Sequence, residues 1–399
     1  MDSLETVTLD WAIAQALEKN PQIKASQQRW KAAQQREPQV SSLDYPNLSY
    51  TRWLSTPETR VGPQLNVFTL SQRLPFFGKL VLKGNMAGED AVGAEEQYQA
   101  TRRDVAYKIK LVYYDLYWID HSIEILNRYQ ELLEAFWRVA ESKYRTGTGI
   151  QANVLKAELE IASIEDRRLS FEKMRDGAAA RLNALLNRNT HKPVGPITEM
   201  DTTFIRIYEQ KLIQKAITHR QELRSAEAVI RKSGYALSLA KRNYWPDFHV
   251  MANYISIPAG RTAAVDNGKD AFSVQLGLSL PLWFGKLDAA VQEAKASKLA
   301  NLEIYENLEN EVRAEIADLS ARIRTSQRTI SLYTEQLLPS AERTLESALA
   351  SYQTGSLDFL SLLDSERMLL NFRLAYVKEL ASYWQQVAAL ERTVGGTLP

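Results

Sequence analysis

Leu74-Pro75-Phe76-Phe77-Gly78-Lys79 and Leu280-Pro281-Leu282-Trp283-Phe284-Gly285-Lys286 are one phrase written twice, about 200 residues apart, with a single residue inserted in the second copy. What stands on either side of it decides the fold. Ahead of the second copy, Phe272, Val274, Leu276, Leu278 and Leu280 alternate with Ser273, Gln275, Gly277 and Ser279, the period of two of a strand with one apolar and one polar face. Behind the first copy no proline occurs until Pro193, and Val105, Ile109, Val112, Leu116, Ile119, Ile123 and Leu126 recur three and four apart as a heptad seam. The phrase therefore marks the place where a strand hands over to a very long helix. Two further landmarks keep the same order. Tyr45-Pro46-Asn47-Leu48 returns as Trp245-Pro246-Asp247-Phe248 at an offset of 200, and Tyr144-Arg145-Thr146-Gly147 returns as Tyr352-Gln353-Thr354-Gly355 at an offset of 208. Three landmarks in one order at nearly one spacing imply an internal duplication.

The first copy is read as residues 1–205, with strands at about 47–56 and 63–74, a hairpin tip at 144–149 and a linker at 188–205. The second is 206–399, with strands at about 247–257 and 271–282 and a tip at 352–357. The first long helix is expected from near Gly78 to near Arg145, about 68 residues and, at about 1.5 Å each, roughly 100 Å. Gly147 and Gly149 end it, and a half-length helix returns from about Ile150 to Asn187. Pro193, Gly195 and Pro196 interrupt the return, and a helix from about Ile207 to Asn243 covers the remaining distance. The second copy descends over Lys286 to Tyr352, with a kink expected at Pro339, and returns over Leu357 to Thr393. An opening helix at about Asp10 to Glu37 supplies its missing half.

Composition excludes several functions. With 49 basic against 48 acidic residues the formal charge is +1, so no field draws the chain to nucleic acid. The absence of cysteine removes disulfides, thiolate metal sites and cysteine nucleophiles together. His121, His191, His219 and His249 have no ligand spacing, and the six methionines do not cluster. No Ser-His-Asp order or phosphate-binding glycine loop occurs, so no enzyme activity, cofactor or metal site is expected. No window approaches 18 consecutive apolar residues, which excludes a transmembrane helix and leaves a β-barrel open. The opening Met1-Asp2-Ser3-Leu4 lacks a basic segment followed by an apolar one, so an exported form is expected to be processed or engineered.

Strands of about ten residues are long enough to cross a bilayer at a tilt. Tyr45, Trp53, Phe76, Phe77, Trp245, Trp283 and Phe284 stand near their ends, where rings favour the boundary between lipid and water. Arg52 and Gln72 interrupt otherwise apolar faces. Four strands cannot close a barrel, and an open edge in lipid would leave backbone donors unpaired, so the barrel is expected to be shared between subunits. Loops at about Ser55 to Gly62 and Pro258 to Asp270 would face the far side of the membrane.

The plan of helix, two strands, long helix, hairpin and return helix, with its Leu-Pro-x-Phe-Gly-Lys type junctions and Tyr-x-Thr-Gly tips, resembles the TolC-like outer-membrane efflux channels, also called outer membrane factors. The resemblance covers nearly the whole chain. The Pro-Phe-Phe-Gly-Lys and Pro-Leu-Trp-Phe-Gly-Lys junctions look most like the branch that serves heavy-metal pumps of the resistance-nodulation-division type. The resemblance implies a mainly α fold with a transmembrane β-barrel part. Three chains would each give four strands to a shared twelve-stranded barrel in the outer membrane of a Gram-negative bacterium, and long helical hairpins would form a periplasmic α-barrel. It further implies a passive exit channel whose lower end receives a periplasmic adaptor protein and an inner-membrane pump. Many members carry a lipidated N-terminal cysteine, which this sequence lacks.

In the family the lower constriction often uses two acidic residues just after the second hairpin, three positions apart. The matching residues here are Ser361 and Asp364, with Asp358 one turn before Ser361. Three Asp364 carboxylates around a threefold axis would repel one another and attract cations, and Arg367 and Arg145 would be locking partners. The plain alternative is a solvated helix carboxylate. Tyr144, Thr146, Gly147, Tyr352, Thr354 and Gly355 are read as glycine-capped hairpin tips, to which the resemblance adds contact with the adaptor. A rival reading is a periplasmic coiled-coil adaptor or structural protein without a pore. The amphipathic strands with aromatic ends weigh against it, because an adaptor's strands would build compact domains of its own.

Overall fold

A proline-free sequence with apolar residues at every third or fourth position has nothing to stop it as a helix. In a computed structural model, which describes residues 6–197, 203–261, 263 and 265–398, Lys79–Arg145 form one helix of 67 residues. Residues 198–202 of the expected linker, and 262 and 264 of the second expected loop, lie outside the described residues. In chain order the elements are α1 (Leu9–Lys19), α2 (Pro21–Gln34), α3 (Arg36–Ser41), β1 (Asn47–Arg52), β2 (Glu58–Thr59), β3 (Gly62–Pro63), β4 (Asn66–Leu74) and α4 (Lys79–Arg145). They continue as α5 (Gln151–Leu185), α6 (Glu209–His219), α7 (Gln221–Arg242), β5 (Asp247–Ser256), β6 (Ala271–Ser279), α8 (Phe284–Leu332), a π-helical turn (Tyr333–Leu337), α9 (Leu338–Gln353) and α10 (Phe359–Val394). Among the described residues no helix is long and apolar enough to cross a membrane.

Two stretches expected as single helices are divided. The opening helix expected over Asp10 to Glu37 is three pieces, interrupted at Gln35 and at Asn20, which takes an extended conformation at φ −64° and ψ 125°. Its Oδ1 accepts from the Gln22 N–H at 2.9 Å, capping α2, while Pro21 takes the first helical position, where no donor is needed. The helix expected over Ile207 to Asn243 breaks at Arg220 with nearly the same angles, φ −69° and ψ 124°. The two breaks stand 200 residues apart, at the offset of the opening strands. Just before Pro339, where the kink is expected, Tyr333–Leu337 form a π turn, a wider turn that accommodates the missing amide donor.

The chain falls into two compact units, each drawing on both sequence copies. The first comprises Met1–Ser26, Tyr98–Gln221 and Glu309–Pro399. Its core is the heptad seam of α4: Val105, Ile109, Leu116, Ile119 and Leu126 are fully buried, against Ala178 and Leu182 of α5 and Ala381 and Ala388 of α10. Each such aliphatic side chain contributes about 1.5–3 kcal/mol through burial. Ion pairs line the seam, among them Arg175 Nε to Asp120 Oδ1 at 2.6 Å and Arg392 Nε to Asp104 Oδ1 at 2.5 Å.

The second unit, Gln27–Gln97 and Glu222–Leu308, holds a four-stranded sheet of order β1-β4-β5-β6, antiparallel throughout. Its register sorts the side chains into rows. Tyr50, Phe68, Tyr254 and Phe272 stand opposite one another, followed by Leu48, Leu70, Ala252 and Val274, then Gln72, Val250 and Leu276, then Leu74, Phe248 and Leu278. The alternate rows, such as Ser49, Thr69, Asn253 and Ser273, form a polar face. Arg52, which interrupted the apolar pattern of β1, falls opposite Asn66 and Ser256 in a polar row at the loop end. Gln72 spends its amide hydrogens on the carbonyls of Asp44 and Arg73, each at 2.9 Å.

Candidate functional site

The two hairpin tips have the same local design. At the first, Gly147 is left-handed at φ 76°, and the N–H groups of Thr148 and Gly149 both donate to the Lys143 carbonyl at 2.9 Å. At the second, Gly355 is left-handed at φ 80°, and Ser356 and Leu357 donate to the Ser351 carbonyl at 2.9 and 3.2 Å. A side chain at either glycine would be strained, which is why both tips carry one. Thr146 and Thr354 turn their hydroxyls back to the preceding helix, where they bond carbonyls at 3.0 Å. The two tyrosines differ. Tyr144 is 45% exposed, whereas Tyr352 is 5% exposed and packs on Phe359 with ring centroids 5.4 Å apart.

A residue that the sequence did not single out joins the tips. Lys143 Nζ donates to the Tyr352 carbonyl at 2.6 Å and lies 4.1 Å from the centre of its ring, a hydrogen bond and a cation–π contact from one side chain. The repeat puts a serine, Ser351, at the matching place, so nothing in the spacing pointed to this lysine.

Past the second tip the expected gate residues do three different things. Asp358 caps α10: its carboxylate accepts from the Ser361 N–H at 3.0 Å and from the Ser361 hydroxyl at 2.9 Å, and these bonds hold its carboxyl below the usual range. Asp364 is the exposed carboxylate, its side chain 62% exposed and 3.5 Å from Arg367. Arg367 turns mainly to α5, where Nε meets Glu160 Oε1 at 3.0 Å and Nη2 meets Glu160 Oε2, and this pairing raises the guanidinium above its usual range. Arg145 pairs within its own helix with Glu141, Nη2 to Oε1 at 2.7 Å. Within the chain, then, Arg367 stands beside Asp364 and Arg145 does not. Glu160 was missed because its partner lies 207 residues away.

In the second unit the phrase Leu74 to Lys79 becomes a joint. Lys79 reaches Asp247 Oδ1 at 2.8 Å and the Trp245 carbonyl at 3.0 Å, Arg73 reaches Asp247 Oδ2 at 2.7 Å, and the Phe76 N–H donates to Asp247 Oδ1 at 2.9 Å. Phe76 stacks on Trp245 at 5.1 Å. Aromatic residues thus gather at this end of the sheet, and the row of Tyr50, Phe68, Tyr254 and Phe272 lies toward the other. Phe248 and Tyr254 are six positions apart along β5, a distance of roughly 20 Å. Between them the apolar face is exposed, with Leu48, Phe68, Leu70, Val274, Leu276 and Leu278 all open to the surroundings. So large an apolar patch marks a surface meant to be covered. Beyond the strands, Arg60 Nη2 meets Asp266 Oδ2 at 2.5 Å and the Gly268 N–H meets the Val61 carbonyl at 2.6 Å, tying the two loops together.

Among known proteins, the cation efflux system protein CusC of Escherichia coli (strain K12) is 22% identical over 307 residues, which are 74% of this chain and 65% of CusC. The chain therefore matches just under two thirds of that relative's length. Among solved structures, the outer membrane protein VceC of Vibrio cholerae superposes with a TM-score of 0.81 at 21% identity, covering 98% of this chain and 97% of VceC. A structure of CusC gives 0.83 at 17% identity, covering 98% and 93%. The mainly helical fold with its few strands is thus that of the outer-membrane efflux channels. The family model for the outer membrane efflux protein matches residues 12–188 and 212–396, and the chain belongs to that family.

Proposed function

We propose that this chain is one of three in an exit channel of the outer membrane, which passively conducts substrates delivered by an inner-membrane pump and a periplasmic adaptor. The observation that carries the reading is the sheet. Among the described residues β1 and β6 each have a strand on one side only, and the sheet bears an exposed apolar face with an aromatic row toward one end and an aromatic cluster at the other. Unpaired strand edges are tolerated neither in lipid nor for long in water, and three copies joined β6 to β1 give a closed barrel of twelve strands. A pore-free adaptor would leave that face uncovered.

Residues 1–205 and 206–399 act in this reading as two structural repeats, whose hairpins build a periplasmic tunnel. The exposed tip groups, Tyr144, Thr146 and Thr354, meet the adaptor, and the pump behind it, of the resistance-nodulation-division type, supplies the energy. Asp364 forms the constriction, where a ring of three carboxylates favours cations. Cation cargo also accords with the name of the relative CusC. The test is the mass of the detergent-solubilised particle together with its conductance in a planar bilayer. Three chains per particle and discrete ion-conducting steps are expected. A water-soluble monomer without conductance would remove the reading.

A further inference from the structure

α10 meets its neighbours through Phe359, Leu362, Leu363, Glu366, Leu369 and Leu370, all buried. Their spacing of three and four is that of a helix seam, and one of them is a glutamate. Glu366 is 1% exposed, and among the described residues neither carboxylate oxygen has a hydrogen-bond partner. From α4, the Tyr129 hydroxyl donates to the Glu366 main-chain carbonyl and leaves the carboxyl unserved. From α5 the facing charge is Glu160, of like sign. From α10 itself it is Arg367, whose hydrogen bonds go to Glu160. From α9 the residues packed into this cluster are Leu345, Ala348, Leu349 and Tyr352, and the charged Glu342 is engaged with Arg373 at 2.9 Å. A carboxylate here has lost its water and gained no partner, the costliest arrangement for a charge. Burial first and the Glu160 charge second push the carboxyl up to about 8, against the pull of Arg367. The residue 208 positions earlier makes an internal comparison: Glu158 is exposed and accepts from the Trp137 indole N–H at 3.2 Å.

We propose that Glu366 is a proton-operated latch of the second hairpin. Protonated, it lets α10 lie packed against α4 and α5; ionised, it drives this part of α10 out of the core toward water. The carboxyl holds its proton more tightly when packed than in water, so the packed form is favoured most below about pH 4.5 and has lost that support above about pH 8. Between those limits the ratio of packed to released α10 falls by up to about tenfold per pH unit. The latch is a property of one chain's packing and does not require the channel reading. Within that reading it lies two residues beyond Asp364 and favours opening at alkaline pH.

The test is amide hydrogen exchange over residues 359–373 of the full chain in detergent, from pH 5 to 8, with rates corrected for their intrinsic pH dependence. In the unaltered protein, protection is expected to fall with pH, approaching tenfold per unit near the middle of the range and levelling off toward pH 8. Glu366→Gln keeps the shape and removes the titration, so its profile is expected to be flat. Glu366→Leu restores an apolar seam, and a flat profile with higher protection at pH 8 is expected. A flat profile in the unaltered protein overturns the latch, as does an equal slope in the glutamine variant. Should the glutamine variant pack poorly, seen as low protection already at pH 5, the leucine variant decides, and a slope persisting there overturns the proposal.

Discussion

Lys79 Nζ lies 2.8 Å from Asp247 Oδ1, with both side chains 9% exposed. The pair is asymmetric. Asp247 also holds Arg73 and the Phe76 N–H, whereas Lys79 has, among the described residues, Asp247 and the Trp245 carbonyl. Removing the acid therefore strands a buried ammonium, and Asp247→Ala is expected to cost about 3–5 kcal/mol. Lys79→Met leaves the carboxylate with its other two partners, and a smaller loss of about 1–2 kcal/mol is expected. Thermal unfolding of the two variants in detergent checks the order. Equal losses would mean that the joint is held by Phe76 on Trp245 and not by charge.

Lys143 makes a sharper test of how the tips are joined, because it uses the Tyr352 main chain and ring and not the phenol. Tyr352→Phe is expected to be nearly silent. Lys143→Ala should cost about 1–2 kcal/mol, seen as roughly tenfold faster hydrogen exchange over residues 351–357. Tyr352→Ala should cost about 3–5 kcal/mol, since it also empties the space against Phe359. If the lysine variant exchanges as slowly as the unaltered protein, the contact is incidental.

What was legible in the sequence was periodic. The α4 seam could be read because no proline interrupts it and its apolar residues keep one spacing over many turns. β6 could be read because every second residue is apolar. Both tips carried a glycine where the chain needs a left-handed residue. The breaks at Asn20 and Arg220 were hidden for different reasons: Asn20-Pro21 is a capping signal outweighed by the helical pattern around it, and Arg220-Gln221 has no local signal at all. The partners of the expected gate residues were hidden because they are distant in sequence. Nothing near Arg367 points to Glu160, and nothing near the Phe-Phe-Gly-Lys phrase points to Asp247. Glu366 did have a signal, a glutamate in register with Phe359, Leu363 and Leu370, and only a residue-by-residue reading of that seam would have exposed it.

Asp364 separates a gate from a structural carboxylate. Its side chain is exposed and its ion-pair partner among the described residues is Arg367 at 3.5 Å, so Asp364→Asn should change stability by less than about 0.5 kcal/mol. Its charge should matter to ions nonetheless. If Asp364 forms the proposed ring of three, removing its carboxylates is expected to lower the preference for cations over anions severalfold in planar bilayers, and more so at low salt, where screening is weak. Unchanged reversal potentials at both salt concentrations would take Asp364 out of the constriction.

The two faces of β6 give the most direct test of where lipid lies. Leu276 shares its face with Val274 and Leu278, while the adjacent Gln275 points to the face of Ser273, Gly277 and Ser279. Both are near the middle of the strand, so depth is nearly constant and only the side differs. Arginine at the middle of a lipid-facing strand costs about 2–4 kcal/mol, while a water-filled interior tolerates it. Leu276→Arg is therefore expected to reduce assembly into detergent-extractable, heat-resistant particles, and Gln275→Arg to assemble normally with altered conductance. Should Gln275→Arg be the damaging change, the apolar face would be turned inward and a shared barrel with lipid outside would be untenable. Equal tolerance of both would mean that neither face meets hydrocarbon, and the aromatic residues at the strand ends would then have no membrane to mark.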